Sequence, residues 1–284
     1  MMIMRIKRYW EDFFQKRSSE ETWWTRLLHS YEDREITVLR IQGIIKDWQV
    51  TQQATKTIQQ YVLQKMFLLQ HNNHMYIEER EHTYTFYERN GEITDHREIQ
   101  TPPQLSKPVH MHEDIVSRSM DRQSSYERRK AVQYAERWWN DYNPSFKVFD
   151  VDCTNYISQC LLAGGGYMYG DLNRERGWWY REDTWSFSWS VAHSMRWYLS
   201  GSTQSIVGIE VEHAQDLLPG DVICYDFDGG GRFDHTTIVV AKDADGMPLV
   251  NAHTDNSRHR YWSYEDSTAW TPNIAYKFFK IQVQ

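Results

Sequence analysis

Asp152-Cys153-Thr154-Asn155-Tyr156-Ile157-Ser158-Gln159-Cys160-Leu161, closed by Gly164-Gly165-Gly166, is the stretch on which the reading of this chain turns. Asp152 is a favoured residue ahead of a first helical turn, which puts Cys153 inside that turn. Tyr156, Ile157, Cys160 and Leu161 recur at three- and four-residue spacing, so one helix face is apolar. The glycines end the helix. A thiol at a helix N-terminus feels the positive end of the dipole, and its pKa is expected to fall. The helix therefore predicts a nucleophilic cysteine at its start.

Working outward, the region downstream reads as helices followed by antiparallel strands. Residues 126–140 form an amphipathic helix with Ala131, Val132, Tyr134, Ala135, Trp138 and Trp139, stopped by Asn143-Pro144. A tryptophan-rich stretch with Trp178, Trp179, Trp185 and Trp189 follows, then a helix over 189–198. Leu218-Pro219-Gly220-Asp221 is a turn, and strands are expected over 222–227, 236–241, 249–254 and 274–281. That order is the α+β pattern. His235 stands where a loop enters a strand. A cysteine nucleophile needs such a base to take its proton and later return it to a leaving amine. Asn251, His253 and Asp255 fall on one face if 249–254 is a regular strand, and one of them would orient the imidazole.

Upstream, residues 1–100 read as a small α+β domain. Helices are expected over 9–28 and 53–70, and strands over 35–45, 75–87 and 92–99, with Asn90-Gly91 as a turn. A linker, 101–123, holds Pro102, Pro103 and Pro108 and is expected to be extended. His110 and His112 in it read as solvated. The second domain is then 124–284.

Composition narrows the function. The net charge of -7 argues against a nucleic-acid binder. No apolar run is long enough for a membrane span, and no signal peptide follows the basic N-terminal residues, which leans towards a cytoplasmic location. Three cysteines do not make a disulfide framework. Cys160 and Cys224 read as core. No HExxH or CxxC spacing calls for a metal, and no glycine-rich phosphate loop for a cofactor. A metal site built from His235, His253, Asp255 and His259 is the weaker alternative.

The order of helix-start cysteine, Leu-Pro-Gly-Asp, strand-start histidine and a polar residue on the next strand resembles the NlpC-type and CHAP-type papain-like peptidases and amidases. More closely, Asp152-Cys153-Thr154-Asn155 through Cys160, Gly220-Asp221-Val222-Ile223, Asp234-His235 and Ala252-His253-Thr254-Asp255 are similar to the bacterial putative amidase domain family. The resemblance covers 124–284 and implies a papain-like fold. It makes Cys153 the nucleophile, His235 the general acid/base and His253 the orienting residue, with Asn251 and Asp255 as alternatives. The Cys153 N–H would help bind the oxyanion. The implied substrate is a bacterial cell-wall or peptide amide, with Trp185 and Trp189 as a cleft wall. A catalytically silent peptide- or glycan-binding domain is the other reading.

Overall fold

The computed structural model describes residues 2–15, 22–53, 56–89, 92–99 and 125–284. Its contacts divide the chain into two compact units: Met1–Thr101 with Ser263–Trp270, and Pro102–Trp262 with Thr271–Gln284. The proline-rich segment over 101–123, with His110 and His112, lies outside the described residues, as does the turn at Asn90-Gly91.

The first unit holds helices α1 (Met2–Gln15) and α2 (Trp23–Asp33) and strands β1 (Ile36–Gln53), β2 (Lys56–His71), β3 (His74–Arg89) and β4 (Glu92–Ile99). The helix expected over 9–28 is two helices. Thr22 starts the second: its hydroxyl accepts from the Thr25 N–H, and the Thr25 hydroxyl accepts from the Thr22 N–H. The strands form an antiparallel meander in the order β1-β2-β3-β4.

The helix expected over 53–70 is strand β2. Tyr61, Leu63, Lys65, Phe67 and Leu69 are all buried, a period of two. Tyr61, Val62, Phe67 and Leu68 also suit helical spacing, so the pattern alone was ambiguous. Pairing along nearly the whole length of both β1 and β3 decides it. The alternate side chains then pack under the aromatic faces of α1 and α2, through Trp10 on one side and Trp24 on the other.

The second unit opens with α3 (Arg128–Trp138) and α4 (Cys153–Ala163). A two-stranded ribbon, β5 (Tyr180–Arg181) and β6 (Thr184–Trp185), precedes α5 (Phe187–Ser190) and α6 (Ala192–Gly201). Then come β7 (Ile206–Val211), β8 (Val222–Asp226), β9 (His235–Lys242), β10 (Pro248–Ala252), β11 (Ser257–Tyr261) and β12 (Ala275–Val283). These pair antiparallel in the order β11-β10-β9-β8-β12-β7. Strands β5, β6, β7 and β11 lie outside the strands expected from sequence, and the helix expected over 189–198 is two, α5 and α6. The fold is α+β, with the helices packed on one face of a large antiparallel sheet. No helix among the described residues is long and apolar enough to cross a membrane.

Helix α4 is the centre of this unit. Every residue from Cys153 to Leu161 is buried, not one face alone. Its polar side chains are satisfied inside. The Thr154 hydroxyl meets that of Thr236 at 3.1 Å, and Ser158 donates to the Trp189 carbonyl. Gln159 accepts from the Tyr134 hydroxyl. The helix ends in a Schellman turn: Gly166 N–H reaches the Leu161 carbonyl and Gly165 N–H the Leu162 carbonyl. Gly165 adopts φ +100°, which an L side chain rarely takes. The Leu-Pro-Gly-Asp turn is structural. Buried Asp221 accepts the backbone N–H of Leu218 and of Ile281, each at 2.8 Å, and pairs with Arg128. It thereby ties the start of α3 to the turn and to β12.

Candidate active site

The first turn of α4 is held from outside the helix. Asp152 precedes it but makes no capping bond with its own side chain. The Thr254 hydroxyl takes that place, accepting the N–H of Asp152 at 3.1 Å and of Cys153 at 3.2 Å. The Cys153 N–H is therefore engaged and does not present itself as an oxyanion donor in this conformation. Thr254 has φ 80°, costly for a β-branched residue. Such strain persists only where the surroundings over-determine it.

The Asp152 carboxylate is released for other partners. Oδ1 accepts from the Phe149 N–H at 3.0 Å and from Asn155 Nδ2 at 2.9 Å. Oδ2 meets His253 Nδ1 at 2.8 Å. The other nitrogen of His253 meets the Trp138 carbonyl at 2.6 Å. Both ring nitrogens are thus engaged, one by the Asp152 carboxylate and one by the Trp138 carbonyl. The ring lies flat on Tyr156, centroids 4.0 Å apart and 13° between planes. His253 thus braces the segment that carries Cys153 and has no nitrogen left to act on another imidazole.

Cys153 is 2% exposed. Its sulfur lies 3.7 Å from the Thr154 hydroxyl and also interacts with Thr236. Burial pushes the thiol pKa up from its ordinary value. Hydrogen bonds from Thr154 and Thr236 oppose this, while the nearby Asp152 charge adds to it. The expected lowering by the helix dipole is overridden, because desolvation penalises the thiolate more than one helix end stabilises it. Cys160 and Cys224 are buried too, and their thiols are raised by burial.

His235 opens β9, next to Thr236. Strand alternation sends Thr236 to the helix face and His235 to the other. On that face its ring neighbours are those of Tyr225, at 5.6 Å, and Phe227, at 6.1 Å. Thr237 and Tyr225 lie hydroxyl to hydroxyl, 3.1 Å apart. Burial lowers the His235 pKa to about 3; the Arg260 charge adds to the fall and the Asp255 charge opposes it.

The other expected residues are dispersed. Strand β10 ends at Ala252, so His253, Thr254 and Asp255 belong to the turn that follows. Asn251 donates to Glu136 at 2.9 Å and accepts the His259 N–H at 2.9 Å. Register places it opposite Ile238, on the helix face. Asp255 pairs with Arg260 at 3.6 Å, and His259 with Glu136 at 3.2 Å. Of the four residues of the alternative metal site, His253 is engaged by Asp152 and His259 by Glu136, while Asp255 pairs with Arg260 and its charge acts on His235.

Trp189 is fully buried and donates to Asn155 Oδ1 at 2.8 Å, so it has no face for a ligand. Trp185 is half-buried, edge-on to Phe149 at 4.7 Å, with Lys147 Nζ 4.8 Å and Arg174 5.3 Å from its ring centroid. Sequence reasoning missed Thr254, Asp152 as a hub, and Trp138, which contributes a carbonyl. The Ala-His-Thr-Asp run held the first of these signals, but a cap drawn from a hundred residues away leaves no local trace.

Residues 125–279, which contain all these groups, match the family described as Putative amidase domain. The chain belongs to this family. An uncharacterized protein of Bacillus subtilis strain 168, YhbB, is 44% identical over 262 residues, which is 88% of this chain and 83% of that protein. The relative is matched over the first unit as well, because 262 aligned residues exceed the family domain. No solved structure matches. The family's description points to amide hydrolysis as the class of reaction.

Proposed function

We propose that the second unit is a cysteine-dependent amide hydrolase in which Cys153 is the nucleophile and His235 carries the proton. The observation that supports this most is a cysteine in the first turn of a buried helix, touching the residue next to His235, inside a domain of amidase description. The resemblance to NlpC-type and CHAP-type enzymes favours a bacterial cell-wall peptide as substrate. Trp185 is the aromatic residue available to a cleft wall.

The chemistry is two acyl transfers. The imidazole takes the thiol proton and the sulfur adds to the amide carbonyl. The C–N bond breaks as the amine leaves with that proton. Water, deprotonated by the same imidazole, then splits the thioester, giving a carboxylic acid and the free thiol. This requires His235 to reach the helix face. His235 is paired with Tyr225 at the start of β9, so that pairing has to open for the imidazole to do so. As described, thiol and imidazole are both neutral at pH 7, a resting state from which proton transfer has yet to occur. His253 serves as a positioning residue for the Asp152-Cys153 turn.

The buried thiol and the imidazole turned to the other face favour a second reading, a domain that binds peptide or glycan without cleaving it. Mass spectrometry of peptidoglycan fragments and N-acyl peptides after incubation separates the two. Release of amine by the wild type, lost in Cys153→Ser and His235→Ala, is expected. Equal release by Cys153→Ser would overturn the cysteine mechanism; binding with no release by the wild type would establish the second reading.

A further inference from the structure

Helix α6 carries a cation that the mechanism above does not use. The Arg196 guanidinium lies 3.9 Å from the Trp197 ring centroid and 5.5 Å from that of Phe233. Its Nε and Nη1 are buried, and neither meets an acceptor among the described residues. Buried donors are nearly always satisfied, and those of a charged group are the costliest to leave without a partner. Two aromatic rings lie beside the guanidinium, surroundings in which arginine is held where it recognises a planar anion. No carboxylate of this chain pairs with it among the described residues.

Its position ties it to the site. The Phe233 N–H points to His193 Nδ1 of the same helix at 3.3 Å, and Phe233 is two residues before His235. The Arg196 charge favours the thiolate of Cys224, and Cys153 acts on that same thiol. Arg196 and Cys153 therefore both lie near Cys224, and Arg196 lies against Phe233 in the loop that leads into His235.

We infer that Arg196 is the anchor for a carboxylate of the ligand, so that the preferred substrates are N-acyl amino acids or peptides with a free carboxylate close to the amide bond. This rests on the amide-hydrolase reading for its meaning but not for its test, which is binding. The probe is N-acetylglycine, compared with neutral N-acetylglycinamide and with inorganic phosphate, followed by tryptophan emission, since Trp197 lies on the guanidinium. Saturable binding of N-acetylglycine is expected, at least about tenfold tighter than the amide and than phosphate. Arg196→Gln should weaken it by a similar factor, and Cys153→Ser should leave it unchanged. Arg196→Lys keeps the charge without the planar fork and should weaken it several-fold, which serves if the glutamine variant does not fold. Equal binding of acid and amide, phosphate as tight as the acid, or wild-type affinity in either arginine variant would overturn the assignment. A protein that binds the acid through Arg196 but hydrolyses no amide would refute the catalytic reading and leave this one standing.

Discussion

The two faces of the second unit's sheet hold the candidate chemistry in different ways. On the helix face, Cys153 sits in a net of fixed hydrogen bonds: Thr254 on its backbone, Thr154 and Thr236 around its sulfur, and Asp152 with His253 behind it. On the opposite face, His235 lies among aromatic rings, with Tyr225 and Phe227 beside it and Trp262, Tyr276 and Phe278 further along. The first surroundings position a backbone; the second desolvate a base. Both leave their reactive group neutral, one by raising a pKa and the other by lowering it. A hydrogen-bonded net tolerates little movement, so any approach of the two groups has to come from the imidazole side.

The largest effect should come from breaking the net. Asp152→Ala removes the carboxylate that meets the Phe149 N–H, Asn155 Nδ2 and His253 Nδ1 and leaves these buried groups without their partner, and we expect a loss of about 3 kcal/mol of unfolding free energy in urea titrations. A loss below 1 kcal/mol would mean that the helix start does not depend on this carboxylate.

The aromatic face is sharpened by pH. His235 has a folded pKa of about 3, below its unfolded value near 6.5. The unfolded chain then binds the proton first, so the contribution of His235 is complete above pH 6.5 and declines as pH falls towards 3. The slope is about 1.4 kcal/mol per pH unit. His235→Phe should flatten that part of the stability curve between pH 6.5 and 4, and an unchanged slope would place the titration elsewhere.

Thr254 tests what caps the thiol's helix. Thr254→Ala should cost about 1 kcal/mol through the lost acceptor. Thr254→Ser keeps the hydroxyl and drops the methyl that φ 80° disfavours, so it should be no less stable than the wild type. Thermal melts of the pair decide this, and equal losses would deny the cap.

The smallest effect is at Glu136, whose pKa is lowered to about 2 chiefly by hydrogen bonds from His259 and Arg258, against the pull of burial. Its contribution is present above its ordinary carboxylate pKa and lost as pH falls through about 2. The group is partly exposed, so Glu136→Gln should cost below about 1 kcal/mol at pH 7 and nothing near pH 2.

What was legible in the sequence follows from range. The helix beginning at Cys153, its glycine stop, the strand beginning at His235 and the α+β order are set by neighbours a few residues apart, and they could be read. Strand β2 could not: residues 61–69 satisfy both periods, and partners up to about 30 residues away choose between them. The expectation that Asn251, His253 and Asp255 extend one strand failed because β10 stops at Ala252 and turns. The facing of His235 depends on its pairing with Tyr225 across β8. A one-residue change in where β9 begins would reverse it, and spacing carries no such information. The dipole argument for Cys153 was sound locally, but burial is a property of the whole unit.

As the proposed nucleophile, Cys153 forms an acyl bond with substrate. That bond is measured most directly by acid-quenched peptide mass spectrometry after brief mixing with a small activated acyl ester, p-nitrophenyl acetate. One acyl group is expected on Cys153 and none on Cys160 or Cys224, with a rate that rises with pH because burial holds the thiol protonated. Acylation of another residue, or amide turnover that persists in Cys153→Ser, would contradict it.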